Sequence, residues 1–186
     1  MKTIPLVLTV LVASATGAQA QTTMQQMASA VGWSQSQETN PTESYAYTRY
    51  LLVGKSPSLQ TIGNRPALAV NCIPGDGTRH GKFLNANLLA ATSLKVDWVE
   101  PEEIHGMNYL PKVVVKVRTD DSKNSNVEEN WAAGNDKASA TIPRETLKKI
   151  LESHSVSIDT KDDHGAPLPM NFDIPNASSI ERSCDL

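Results

Sequence analysis

The chain has 186 residues, with 17 Lys and Arg against 20 Asp and Glu and a formal net charge of −3. Such mild acidity, with no basic run of five or more residues, argues against nucleic acid or an anionic membrane surface as a general partner. The length suits one domain with a core of its own.

The first stretch, MKTIPLVLTVLVASATGAQA, has the build of a signal peptide. Lys2 supplies a positive start, residues 4–13 form an apolar run, and Ala18-Gln19-Ala20 fits the small-x-small cleavage rule. A membrane anchor would need about 20 apolar residues, and Ser14, Thr16 and Gly17 break the run. We therefore expect residues 1–20 to be removed, leaving a mature chain of 166 residues that begins at Gln21 and carries a charge of −4. A periplasmic or secreted protein is expected, with no stable membrane insertion after cleavage. Residues 21–32 read as a flexible arm and residues 33–186 as a single domain.

Trp33 is the first large anchor. Over residues 44–53 Tyr45, Tyr47 and Arg49 alternate with Ala46, Thr48 and Tyr50, a period of two that predicts a strand. A turn-rich linker, residues 55–66, follows. Residues 67–72 then place Leu68, Val70 and Cys72 on one strand face. Residues 82–100 predict two short strands, the second over Lys95–Val99, because its valines and Trp98 favour extended backbone. The run KVVVKVRTDD is the strongest strand signal, with Val113, Val115 and Val117 on one face and Val114, Lys116 and Arg118 on the other. DDSKNSNVEEN and the tryptophan segment after it read as loop, and KASATI as a strand. The period then changes. Pro143 opens a helix with Leu147, Ile150 and Leu151 on one side, and His154 is expected in its last turn, where a cation suits the dipole. SVSID and PMNFDI return to period two, with the turn DDHG between them. A short C-terminal helix is expected, with Ser178 and Glu181 at capping-box spacing; Asn176 opens a glycosylation-type triplet that in this position serves as a cap. The sum is a mainly β chain with one or two short helices (α+β), an antiparallel sheet or sandwich in a single domain.

Cys72 and Cys184 are the only cysteines. In an exported chain an even count predicts a disulfide, and no CxxC or nearby histidine at ligand spacing supports a metal pair. The stretch NCIPGDGTRHGKF resembles a phosphate-binding loop, but Asp76 stands where the first glycine belongs and Phe83 where the hydroxyl belongs. It reads as a hairpin turn. His80, His105, His154 and His164 form no HxH or HExxH pattern, and no GxSxG is present. No catalytic, cofactor-binding or metal residues are therefore expected, and no cofactor.

In chain order the segments run from a tryptophan strand through RPALAVNC, VVVKVRTDD, a tryptophan loop and the LKKIL helix to NFDI and IERSC. This order resembles the VasI-type periplasmic domain associated with type VI secretion, and related uncharacterised exported bacterial domains. The matching residues are Trp33, Pro66, Leu68, Cys72, Arg118, Asp120, Trp131, Leu151, Phe172, Asp173 and Cys184. Residues 98–112 depart from the pattern, as an insert between hairpin and valine strand. The resemblance implies a small exported sandwich-like domain with a cysteine bridge and no established catalytic residues.

The expectation is thus an exported, non-enzymatic envelope protein that binds another envelope or secreted protein or assembles with itself. The expected interaction surface comprises Tyr45, Tyr47, Tyr50, Trp98, His105 and Tyr109, since Tyr and Trp are favoured at interfaces. A secreted hydrolase with a site assembled from distant residues, or an inhibitor of another enzyme, are the alternatives.

Overall fold

Period-two patterning becomes one large antiparallel sheet. The computed structural model describes residues 32–40, 42, 45–59, 64–73, 75, 81–99, 110–120 and 127–186. Among them the strands are β1 (Trp33–Thr39), β2 (Ala46–Val53), β3 (Ala67–Ile73), β4 (Lys82–Leu89), β5 (Asp97–Val99), β6 (Leu110–Thr119), β7 (Val127–Ala133), β8 (Ser139–Thr141), β9 (Ser155–Lys161) and β10 (Pro167–Asp173). Helix α1 (Arg144–Glu152) lies between β8 and β9, and α2 (Ser178–Cys184) follows β10. The strand order is β1-β2-β3-β4-β8-β7-β6-β9-β10, with β5 paired to β6. All pairings are antiparallel. The proposed leader and arm, residues 1–31, lie outside the described residues.

The inward-facing aliphatic residues of the strands meet in a common core. Val113, Val115 and Val117 of β6 join Val156 and Ile158 of β9, Leu168, Met170 and Phe172 of β10, and Leu52, Leu68, Val70 and Leu88 of β2–β4. Residues from both ends of the strand order thus share one core, because the sheet curls into a half-barrel. Its ends meet where Lys55, just past β2, exchanges two backbone hydrogen bonds of 2.8 Å with Asn171 of β10. Gly54 makes this approach possible. A Cβ there would lie 2.5 Å from the Phe172 ring and 2.8 Å from the Asn171 carbonyl oxygen, closer than packed atoms approach.

The two helices pack on the β3–β4 region, α1 against β4 and α2 against β3 and β4. Leu147, Ile150 and Leu151 of α1 and Ile180 of α2 enter the core. Cys72 of β3 and Cys184 of α2 form the expected disulfide, both fully buried, with Cα atoms 5.2 Å apart. Gly81 fits beneath the same helix: a Cβ there would lie 1.9 Å from the Ser183 carbonyl oxygen. Arg144 ties the helices together, donating to the Asp185 carbonyl while its guanidinium sits 5.7 Å from the Phe83 ring centroid.

Several local expectations are corrected. Residues 127–133, expected as loop, form β7, and Trp131 is a wholly buried core residue. Their polar composition hides the pattern because Glu129, beside the core, is used internally: its carboxylate accepts from the Trp131 indole N–H at 2.8 Å and the Thr146 hydroxyl at 2.7 Å. His154 lies beyond α1, whose C-cap is Ser153; Lys149 is the base in the last turn. No capping box forms on α2. Ser178 is its first helical residue, and its N–H donates to the Asn176 side chain at 2.9 Å. The N-cap position is Ala177, without a side-chain cap, and Asn176 from just outside the helix satisfies the first helical N–H.

Two stability predictions follow from this framework. Reduction of Cys72–Cys184 releases a loop closed over 112 residues and should cost about 3–5 kcal/mol in the chain-entropy model, read as a lower urea midpoint with dithiothreitol; an unchanged midpoint would contradict it. Gly54→Ala should cost about 1–3 kcal/mol through overpacking against Phe172, and an unchanged melting temperature would show that the closure tolerates a methyl group.

Candidate interaction surface

The aromatic surface expected from the sequence divides once it is folded. Tyr45 and Tyr47 share one face of the β1–β2 hairpin, with ring centroids 6.4 Å apart at 66°. Tyr50 does not belong with them: it turns to the opposite side of β2 and is 6% exposed, part of the core. The alternation of β2 was legible, but the apolar side proves to be Thr48, Tyr50 and Leu52. Trp98 pairs through its backbone with Pro111 in β5–β6. His105 and Tyr109 lie outside the described residues, so the structure brings together only Tyr45 and Tyr47 of the expected set.

What surrounds those two tyrosines is a polar row running across five strands. The Glu38 carboxylate of β1 accepts from the Tyr47 hydroxyl at 2.7 Å and pairs with the Arg49 guanidinium at 3.1 Å. Arg49 donates on to the Asn71 side chain of β3 at 3.1 Å, and Asn71 donates to Asn85 of β4 at 2.7 Å. Asn87 also donates to Asn85, at 3.1 Å, and receives a bond from Thr141 of β8 at 3.3 Å. The register places Arg49, Asn71 and Asn85 directly abreast, so cross-strand neighbours on one face form the chain of bonds. Asn71 is 6% exposed, and its bonds satisfy a buried amide that would otherwise cost free energy. The signal was present in the sequence as polar residues at alternate positions of three strands, but pairing them requires the register. The Tyr47 phenol is pushed above its ordinary value, first by its bond to Glu38 and then by desolvation; the nearby Arg49 charge pulls the other way.

The outer edge of β1 is the second feature of this region. Asn40 N–H donates to the Tyr45 carbonyl, continuing the unbroken β1–β2 register. Alternation along an antiparallel ladder then directs the backbone groups of Ser34, Ser36 and Glu38 to β2 and those of Trp33, Gln35, Gln37 and Thr39 away from it. Among the described residues no strand lies on that side. The far end of the sheet differs. In β10 the N–H of Asn171 is taken by Lys55, and Pro167 and Pro169, at the same parity, present nitrogens without hydrogens.

A cleft of about 590 Å³ opens where β5 and β9 diverge along one side of β6. Val114 and Leu168 contribute apolar surface; Lys95, Lys116 and Lys161 stand with Asp97, Glu128 and Asp159 around it. The carboxylates are paired, Asp159 with Arg118 at 2.6 Å, Glu128 with Lys116 at 3.9 Å and Asp97 with Lys95 at 4.0 Å. Among the described residues no histidine lines this cleft. His154 and His164 sit elsewhere, both highly exposed, 3.7 Å from Asp120 and 3.6 Å from Asp163. Among the described residues no three His, Cys, Asp or Glu side chains are grouped to hold a metal ion.

Two aspartates act as turn anchors instead. Asp120 accepts the N–H groups of His154 and Ser155 at 3.0 and 3.2 Å. Desolvation pushes its carboxyl up, but the Ser155 and His154 N–H groups outweigh it and hold the group below the usual range. Asp136 is likewise held low, chiefly by the Ser139 hydroxyl at 2.7 Å, against desolvation and with help from the Ala138 and Ser139 N–H groups.

The signs give two pH predictions. Depressed carboxyls stabilise the fold fully above their unfolded value, about 3.9, and lose that contribution as pH falls through the lower folded value. Asp120→Asn with Asp136→Asn should therefore flatten the loss of stability below about pH 4, measured by urea unfolding; a parallel loss in the variant would contradict it. The raised Tyr47 phenol contributes stability that is complete below about pH 10 and is lost as pH rises through its folded value. Absorbance titration at high pH should show a late phenol component that Tyr47→Phe removes. Compared with known proteins, the chain matches no family model, no curated protein and no solved structure.

Proposed function

We propose that this chain is an exported envelope protein that acts as a protein-binding or assembly module. The observation that carries the binding half is the outer edge of β1, beside which no strand lies among the described residues: four residues present backbone donors and acceptors outward, without the prolines that blunt β10. An extended segment of a partner adds to such an edge through main-chain hydrogen bonds, with alternate side chains supplying specificity. Gln35 on one face of the edge, and Tyr45 and Tyr47 one strand inward on the other, supply polar and aromatic contacts, while the Gln37 amide is held by Thr48 at 2.8 Å. Export is supported by the leader-like first 20 residues and by a buried disulfide, a bond characteristic of oxidising compartments. The resemblance to VasI-type periplasmic domains points to the same compartment and forms part of this proposal. A hydrolase would draw support from a deep cleft joining a histidine to a carboxylate; among the described residues the lining of the cleft beside β6 includes carboxylates and no histidine.

Two measurements test the halves separately. The chain recovered from the envelope should begin at Gln21 and gain two protons in mass on reduction; an uncleaved, fully reduced chain contradicts export. A photocrosslinking residue in place of Gln35 should give a discrete protein adduct in living cells. Gln37→Pro, which removes one outward donor and the side-chain bond to Thr48 while leaving the β1–β2 backbone bonds in place, should abolish it. An adduct indifferent to the proline would contradict edge binding.

A further inference from the structure

Resting on the edge-binding reading, we propose that the strand received by β1 is β1 of a second copy, paired antiparallel about Ser36. The sequence of β1, Trp-Ser-Gln-Ser-Gln-Glu-Thr, complements itself in this one register. Gln35 meets Gln37 of the second copy, Trp33 meets Thr39, Ser34 meets Glu38, and Ser36 meets itself. The outward-facing residues Trp33, Gln35, Gln37 and Thr39 all fall in hydrogen-bonded pairs, so every backbone donor and acceptor on both edges is used. A shift of two residues in either direction leaves part of each edge unpaired.

Charge favours the same arrangement. Natural edge strands are commonly protected by lysine, proline, bulges or inward-pointing charges. β1 has no lysine or proline and pairs with β2 without a bulge. Its single charge, Glu38, is bound within its own sheet by Arg49 at 3.1 Å and Tyr47 at 2.7 Å. In the Ser36-centred register each Glu38 faces a serine, and the two carboxylates lie at opposite ends of the joint. The opposite end of the sheet shows the protection that β1 lacks, since Pro167, Pro169 and the Lys55–Asn171 closure occupy the edge of β10. Joining two copies through β1 gives a closed twofold pair, the commonest symmetry of soluble oligomers. A single strand pair is a small interface, so micromolar or weaker affinity is expected.

The test is sedimentation of the mature chain, residues 21–186, from about 1 µM to about 1 mM, with register-specific charge variants. Wild type should shift from monomer to dimer. Gln35→Lys with Gln37→Lys places ammonium groups opposite one another twice and should weaken the dimer roughly ten-fold. Gln35→Lys with Gln37→Glu places opposite charges at the same two positions and should restore it to within a few-fold of wild type. Both variants lose the Gln37–Thr48 bond of 2.8 Å alike, and cooperative thermal unfolding at matching temperatures establishes that each is folded. Three outcomes overturn the proposal: monomer at every concentration; a dimer indifferent to both variants, which would use another surface; or dimerisation only after residues 21–31 are removed, which would assign the edge to the chain's own arm. If self-pairing fails while the Gln35 crosslink still forms and is lost with Gln37→Pro, the edge-binding function stands and only the identity of the partner is wrong.

Discussion

Closure of the sheet at Lys55 and Asn171 is the constraint on which the rest of the molecule depends. One antiparallel sheet has two faces, and the two short helices among the described residues cannot cover both. Curling solves the problem by letting one face enclose itself. The aliphatic residues of β2–β4 then meet those of β6, β9 and β10, and the helices need cover only the β3–β4 side. Closure requires that Gly54 carry no side chain, because the Phe172 ring and the Asn171 carbonyl occupy that space. The disulfide reinforces the same geometry by fixing α2, which follows β10, to β3.

Much of this was legible because burial in a curled sheet follows period two. β6, β9 and β10 bury every second residue, and their valines, isoleucine and methionine announce it. β7 was not legible, since only Trp131 among its seven residues is fully buried, and the neighbouring Glu129 is there to satisfy that tryptophan's N–H. A strand whose inward side is one aromatic and one bound carboxylate looks like loop when read residue by residue. Tyr50 failed for a related reason. Alternation reveals that two sides differ, but two tyrosines on one side and a third on the other leave the choice of inner side to the neighbouring strands.

The candidate surface was legible only in part. Tyr45 and Tyr47 could be named from composition, yet their setting depends on register. Arg49, Asn71 and Asn85 are 22 and 14 residues apart in sequence and adjacent in space. Their bonds tie Glu38 and Tyr47 into the sheet beside the outer edge of β1, a support that two half-buried tyrosines alone would lack. The free edge itself has no side-chain signature. It becomes visible only when the strand order shows which strand is last.

The closure also sets the order in which the chain can fold. β1 to β4 are joined in sequence as a meander, and β6 to β8 and β9 to β10 are likewise local. Joining Lys55 to Asn171 must bring together segments more than a hundred residues apart, and such non-local contacts form slowly. The first meander can therefore be complete while its eventual partner strands are still unfolded. During that interval β4 offers a temporary edge in addition to the outer edge of β1. Late arrival of β8 and α2 thus defines a window for misassembly between chains, and rapid oxidation of Cys72 with Cys184 would shorten it.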